Sequence, residues 1–406
     1  MVKSAIGLIF SNLKPLIERV LTMRWSVKTS FDHVRGGKRL SSLIAVVLLA
    51  ALTASPIYGQ TGRGGQGLET AIAAQERHTD ALLANPGVVG TAVGHGAEGR
   101  AAVFVFTVEP GVAGIPAKLD GVPVVAHVTG EIFAFPKGGK RGKPPKDNGG
   151  GVDPKSRFDR PVPIGVSSGN VNLFEIDGVQ YCSVGTLGAR LTDGFDVYAL
   201  SNNHVYAHTN TATIGDAIVQ PGTVDLAEPC DDNSLADTIG TLDAFVEIQF
   251  GGFHNVVDAA IASSFIADLG NATPSDGYGT PESTTVDAVI NAKLEKYGRT
   301  TGHTKAMVWA INSTVDINYG PDVNGDPQIA RFVGQIVAKG DGFSRGGDSG
   351  SLVVQLMGKG RNKKYYPVGL LFAGSSFFEL TWLNPIDDVL SDLGAEVNVT
   401  LTIDGQ

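Results

Sequence analysis

Ser344-Arg345-Gly346-Gly347-Asp348-Ser349-Gly350-Ser351 runs directly into the apolar stretch Leu352-Val353-Val354. A serine is held there between glycines and beside an acid, in a tight loop that leads into a buried strand. Glycine reaches backbone conformations closed to other residues, so the amides of Gly347 and Ser349 can both be aimed at one oxygen. Two amides arranged in this way stabilise a developing oxyanion. Taken alone, the string also suits an ordinary hairpin turn, because glycine and serine are common between strands. What separates the two readings is whether the chain carries a base and an acid to activate the serine.

A serine hydroxyl is a weak nucleophile until a neighbouring histidine takes its proton. The eight histidines are His33, His78, His95, His127, His204, His208, His254 and His303, and every one precedes Ser349. That order excludes an α/β-hydrolase, in which the histidine comes last. Ser351 also stands where the hydrolase elbow has its second glycine. The order His, Asp, Ser remains. Phe195 to Leu200 alternates polar and apolar residues and reads as a strand, with His204 at its far end. Asn255 to Ala262 holds a single carboxylate, Asp258, in an otherwise apolar run. A buried acid is costly unless it accepts hydrogen bonds. The Nδ1 proton of a histidine satisfies it, and the acid in turn stabilises the imidazolium formed during attack.

Leu200-Ser201-Asn202-Asn203-His204-Val205, Asp258-Ala259-Ala260-Ile261 and Gly347-Asp348-Ser349-Gly350-Ser351 resemble, in this order, the three signature blocks of trypsin/chymotrypsin-like serine peptidases. The resemblance implies His204 as general base, Asp258 as its orienter and Ser349 as nucleophile. It implies an oxyanion hole from the Gly347 and Ser349 amides, with Asp348 bracing their loop. The pattern departs in three places. Asn202 and Asn203 replace small residues, no cysteine follows His204, and Ser351 replaces a glycine, all of which is closer to bacterial members than to digestive ones. The mechanism implied needs neither a metal nor an organic cofactor. Phe343, Phe372, Ala373 and Gly374 are the candidate substrate-pocket residues, and no acid is placed among them as a trypsin-like preference requires.

Outward from these blocks, the region 161–406 reads as consecutive hairpins. Asn172 to Ile176 and Val179 to Val184 flank Asp177-Gly178, and Thr186 to Leu191 and Phe195 to Leu200 flank Thr192-Asp193-Gly194. A second block of strands runs from Val286 to Gly374, and Asn384-Pro385 caps a helix from Ile386 to Leu393. The expectation is a mainly β fold: two antiparallel barrels with a C-terminal helix. His204 and Asp258 come from the first barrel and Ser349 from the second, so the site lies in the cleft between them. The 53 glycines suit such a turn-rich architecture.

Residues 1–60 read as a targeting segment. Arg35, Lys38 and Arg39 precede the short apolar core Leu43 to Leu52, with small and turn-forming residues at Thr53 to Gln60, the pattern of a secretory signal peptide. The core is shorter than the roughly 20 residues of a membrane span, and Met23 is an alternative start. Export to a secreted or periplasmic location fits Cys182 and Cys230, the two cysteines of the chain. Either they pair around His204 or they are two buried thiols. Residues 66–136 read as a small α+β domain, with a helix from Gly67 to Leu83 followed by four strands. It is either a prodomain, an intramolecular partner that assists folding or blocks the cleft, or a retained accessory domain. Residues 137–160 are rich in Gly, Pro and Lys and read as an exposed basic linker, cut on maturation or simply solvated.

Other features carry less. His204 and His208 have the spacing of two ligands on a helix face, but their context argues against a helix. Asp322 to Asp326 begins like a calcium loop, yet Val333 stands where the bidentate glutamate belongs. His254 reads as a surface residue and His303 as a turn residue. The net charge of −9 argues against a nucleic-acid partner. The expected function is a secreted serine endopeptidase acting on protein or peptide substrates. The alternatives are a catalytically silent scaffold of the same fold and an esterase for small substrates.

Overall fold

The computed structural model describes residues 63–134, 151–176, 179–226, 230, 234–322, 325–375 and 379–406. The targeting segment 1–60, His33, the Asp177-Gly178 turn and the first part of the basic linker lie outside them. No helix among the described residues is long and apolar enough to cross a membrane.

Helix α1 (Arg63–Leu83) buries Ala71, Ala74 and Leu82 against Val93 of β1 (Val88–His95) and Val103 and Val105 of β2 (Ala101–Thr107). One apolar face on an otherwise polar helix is what lets it cover a sheet. β3 (Lys118–Leu119) and β4 (Val122–Val128) form a hairpin, with β4 parallel to β2, and β5 (Ile132–Phe133) follows.

The first barrel begins with β6 (Ser167–Asn170). The small hairpin of β7 (Phe174–Ile176) and β8 (Val179–Tyr181) follows, then β9 (Gly185–Thr186), β10 (Ala189–Thr192) and β11 (Val197–Ser201). A single helical turn, α2 (Asn203–Tyr206), precedes β12 (Ala217–Val219), β13 (Thr238–Phe245), β14 (His254–Asn255) and β15 (Ala260–Ser264). The strands pair in the order β10-β11-β15-β13-β12-β6-β9. Only Leu187 and Gly188 separate β9 from β10, so the two ends of the row meet and the sheet curls around Ile164, Leu187, Ala199, Ile218 and Ala262.

The second barrel comprises β16 (Lys293–Gly298), β17 (Gly302–Pro321), β18 (Pro327–Lys339), β19 (Leu352–Met357), β20 (Lys364–Ser375) and β21 (Leu380–Pro385). Their pairings return on themselves as β16-β17-β18-β21-β20-β19-β16, around Leu294, Val308, Ile336, Val353 and Leu383. Helix α3 (Ile386–Val397) lays Ile386, Val389 and Leu393 into the apolar layer between the barrels, with Leu191, Leu200, Leu352 and Leu370. β22 (Thr402–Ile403) then pairs with β10. The expected two-barrel fold with its terminal helix is therefore the observed one.

The long β17–β18 hairpin extends beyond the barrel, and β1 adds to it, with Gly90 opposite Val315 and Gly94 opposite Ala310. Phe104, Phe106 and Ile132 share a core with Trp382, Phe332 and Phe372 of the second barrel. The ring of Phe106 meets Trp382 edge-on at 5.4 Å between centroids. The N-terminal strands thus continue the sheet and core of the second barrel, and Thr61–Gln406 is one compact unit. The end of the basic linker is anchored too. Arg157 reaches Asp237 at 2.6 Å, Arg160 reaches Asp268 at 2.5 Å, and Phe158 packs on the first barrel. Composition alone reads as an exposed linker, and the Arg157 side chain is exposed. The guanidinium groups find buried or half-buried carboxylates that only the folded barrel assembles.

Candidate active site

β11 ends at Ser201, and the chain turns through α2, which carries His204. As expected, no helix carries both His204 and His208: a single turn forms, tied down by the two asparagines before His204, and it ends at Tyr206, with His208 beyond it at φ +49°. Asn202 Nδ2 donates to the Asp258 carbonyl at 2.7 Å. Asn203 Nδ2 donates to the Val246 carbonyl at 2.7 Å and to Asn210 Oδ1 at 2.8 Å. The residues that depart from the expected pattern therefore hold the turn on the chain leaving β13 and entering β15.

Asp258 lies just before β15. Its Oδ2 is 2.5 Å from His204 Nδ1, and its Oδ1 accepts the His204 amide at 3.2 Å. Both side chains are fully buried. Two contacts come from the second barrel: Tyr319 Oη donates to Oδ2 at 2.8 Å, and Asn384 Oδ1 accepts the Asp258 amide at 3.0 Å. Asn384, read from sequence as a helix cap, instead braces this acid, and Pro385 takes the cap position of α3.

Gly347 and Gly350, on either side of Ser349, adopt φ of +94° and +91°, a region that disfavours any side chain. Asp348 ties the loop from inside. Its Oδ1 accepts the Thr300 and Thr301 amides at 2.8 and 3.1 Å, and its Oδ2 accepts Thr301 Oγ1 and the Arg345 amide at 2.8 and 2.9 Å. The ammonium of Lys296, fully buried, lies 3.5 Å from Oδ2. Burial holds the Lys296 pKa below the ordinary lysine value, and the Asp348 charge opposes that shift. Among the described residues, the amides of Asp348, Gly350 and Ser351 donate to carbonyls. The amides of Gly347 and Ser349 have no such acceptor among them.

The barrels meet tightly at this loop. The Thr186 amide donates to the Ser349 carbonyl at 2.8 Å, and Thr186 Oγ1 donates to the Gly347 carbonyl at 3.0 Å. A Cβ on Gly185 would lie 2.6 Å from Val205 Cγ2 and 2.7 Å from the Ser349 carbonyl. The neighbour of His204 and the backbone of Ser349 therefore flank one glycine. Arg299 fastens the same seam with a bidentate pair to Asp225, at 2.6 and 2.5 Å.

A pocket beside Ser349 is lined by Ser344, Gly346, Ala373, Gly374, Phe133 and Ala134, among others. Two of the four pocket candidates are placed there, Ala373 and Gly374. Phe343 and Phe372 are not: both are fully buried, Phe343 within the second barrel and Phe372 against Phe332 at 4.8 Å. Successive residues of an extended chain face opposite sides, so Ser344 and Ala373 take the wall where the phenylalanines were expected. The other wall was not legible from sequence. β5 pairs antiparallel with the rim of β20, Phe133 opposite Gly374 and Ile132 opposite Ser375, and the Ala134 amide donates to the Asn318 carbonyl at 3.3 Å.

The remaining histidines are placed elsewhere. His208 packs on Phe174 at 4.9 Å, and burial lowers its pKa to about 4. His254 is exposed on β14, and His303 at the start of β17 meets buried Glu295 at 2.7 Å. His78 lies 3.2 Å from Asp120, and His95 is exposed at the end of β1. Cys182 and Cys230 form a disulfide, with Cα atoms 5.5 Å apart.

No family model and no curated protein matches the sequence. Among solved structures, the chain is similar to a glutamic acid-specific serine protease, at 18% identity over 60% of this chain and 100% of that one, with a TM-score of 0.38. It is also similar to protease A of Thermobifida fusca, at 17% identity over 59% and 98%, TM-score 0.35. A Cellulomonas bogoriensis chymotrypsin gives 16% identity over 59% and 98%, TM-score 0.33.

Proposed function

We propose that this chain is a serine endopeptidase that hydrolyses peptide bonds through an acyl-enzyme. Ser349 Oγ attacks the peptide carbonyl carbon while its proton passes to Nε2 of His204. Asp258 holds the imidazole and the charge it gains, and the Gly347 and Ser349 amides receive the oxyanion. When the tetrahedral intermediate collapses, the C–N bond breaks and the amine leaves with the proton from His204. Water then repeats the sequence on the ester. The observation that supports this reading best is the buried His204–Asp258 pair, set at the seam where Thr186 grips the Ser349 loop. The disulfide suits an oxidising compartment.

The reading includes the N-terminal segment as an intramolecular prodomain. An extended peptide commonly binds by adding a strand to a sheet edge. β5 makes that addition to β20 beside Ser349, and Phe133 and Ala134 form one wall of the pocket. The full-length chain then holds its own occupant, and cleavage in the basic stretch 137–150 frees the cleft. The test is labelling by a fluorophosphonate probe, on the intact chain and after cleavage in that stretch, with Ser349→Ala as control. The expected result is labelling confined to Ser349 and faster after cleavage. No labelling of either form overturns the reading in favour of a silent scaffold.

A further inference from the structure

We propose that Tyr319 is a positioning residue of this site, its hydroxyl fixing the Asp258 carboxylate in the orientation that receives His204. The inference deepens the peptidase reading and rests on it for its catalytic meaning.

The Tyr319 hydroxyl donates at 2.8 Å to Oδ2, the same oxygen that faces His204 Nδ1 at 2.5 Å. The Asp258 carboxylate thus has the His204 amide on Oδ1 and two side-chain donors on Oδ2. The phenol is not free to leave. It stacks on Phe332 at 6.2 Å, meets Phe250 edge-on at 5.8 Å, and lies edge-on to the His204 ring at 6.0 Å. Burial first, then the neighbouring Asp258 charge, raises its pKa well above the ordinary tyrosine value. It therefore stays protonated, and a donor, at every working pH. Its placement is specified locally as well. Asn318 Oδ1 accepts the Gly320 amide at 2.8 Å, and Gly320, next to Tyr319, adopts φ of +91°, a conformation that favours glycine.

A carboxylate oxygen shared between two donors offers less negative charge to each. Tyr319 therefore limits how strongly Asp258 favours the protonated imidazole, and it keeps the acid from rotating away. Titratable groups facing the His204 ring include Asp258, from the loop before β15, and Tyr319, from β17.

The experiment uses the full chain with ¹⁵N-labelled histidine. The His204 titration is followed by NMR, and the pH profile of fluorophosphonate labelling is recorded, for the parent, Tyr319→Phe and 3-fluorotyrosine at 319. Tyr319→Phe keeps the packed ring and removes the donor. Its His204 titration is expected to move to higher pH, because Asp258 then keeps more of its charge for the imidazolium. The acid limb of labelling moves up with it. Fluorotyrosine is a stronger donor of nearly the same shape, so it is expected to move both downward. It also answers the question if Tyr319→Phe fails to fold. Labelling of the parent with an unchanged titration in the variants overturns the role of Tyr319 and leaves the peptidase reading intact. Shifts of opposite sign without labelling of the parent, before or after cleavage, do the reverse.

Discussion

Nδ1 of His204 lies 2.5 Å from Oδ2 of Asp258 with both side chains fully buried, although the two residues are 54 positions apart. A neutral amide at 258 would keep the shape and lose the charge, and it would favour the wrong tautomer of the imidazole. Asp258→Asn is expected to lower turnover about 10⁴-fold while leaving the fold intact. Labelling rates and a thermal unfolding curve measured side by side check both halves.

The loop that carries Ser349 holds a buried charge pair, Lys296 with Asp348. Removing one member of such a pair leaves the other unpaired and costs about 3–5 kcal/mol. Lys296→Met is therefore expected to lower stability by that order and to slow Ser349 labelling. Asp348 would then keep only its neutral donors, from residues 300, 301 and 345. The double variant Lys296→Met, Asp348→Asn is expected to regain part of the stability but not the labelling rate, as read by urea unfolding.

Gly347 admits no side chain. Its φ is +94°, and a Cβ there would lie 2.5 Å from Arg299 Nη1 and 2.6 Å from Thr300 Oγ1. Gly347→Ala has to shift the loop and with it the Gly347 amide. Loss of one oxyanion donor costs about 10²–10³-fold, and a fall of that size in labelling rate is expected, with near-native circular dichroism.

Phe133 is the side chain of β5 that reaches the pocket wall beside Ser349. Phe133→Asp puts a charge where an apolar ring sat, and the strand is expected to leave the β20 rim. In the uncleaved chain, labelling should then speed up at least tenfold, toward the rate of the cleaved form, since each 1.4 kcal/mol of weakened docking is a factor of ten. Unchanged labelling in the uncleaved variant would separate β5 from control of the cleft.

His127 on β4 meets Phe104 and Trp309, each at 4.7 Å, and its pKa is lowered to about 4 by burial and then by Lys339. His127, Lys339 and Glu379 line one pocket, separate from that beside Ser349. The folded state favours neutral imidazole, so its contribution is fully present above pH 6.5 and is lost as pH falls from there toward 4. The seam between β4 and the β17–β18 hairpin is expected to open in acid, measured as amide exchange of β1 and β4. His127→Phe should flatten that dependence.

The glycine-bounded serine, the histidine at a strand end and the lone acid in an apolar run were legible in the sequence because each is a local pattern. Strand alternation and turn residues likewise marked most of the hairpins. β13 and β21 escaped, since Gly240 and the mixed residues of 380–385 blur the period-two signal. The pocket was misread by one residue at both phenylalanines, because the facing side of a strand follows from register rather than from residue type.

What the sequence determined by itself is the chemistry on offer, a serine, a base and an acid in an order that admits few architectures, together with the strands that carry them. Only the tertiary structure decided what surrounds that chemistry. Tyr319 and Asn384 reach Asp258 across 61 and 126 residues, Lys296 meets Asp348 from another strand, and β5 pairs with the rim of β20 beside the pocket. Such contacts leave no periodic trace, because they depend on where folded elements cross and not on what lies near them in the chain.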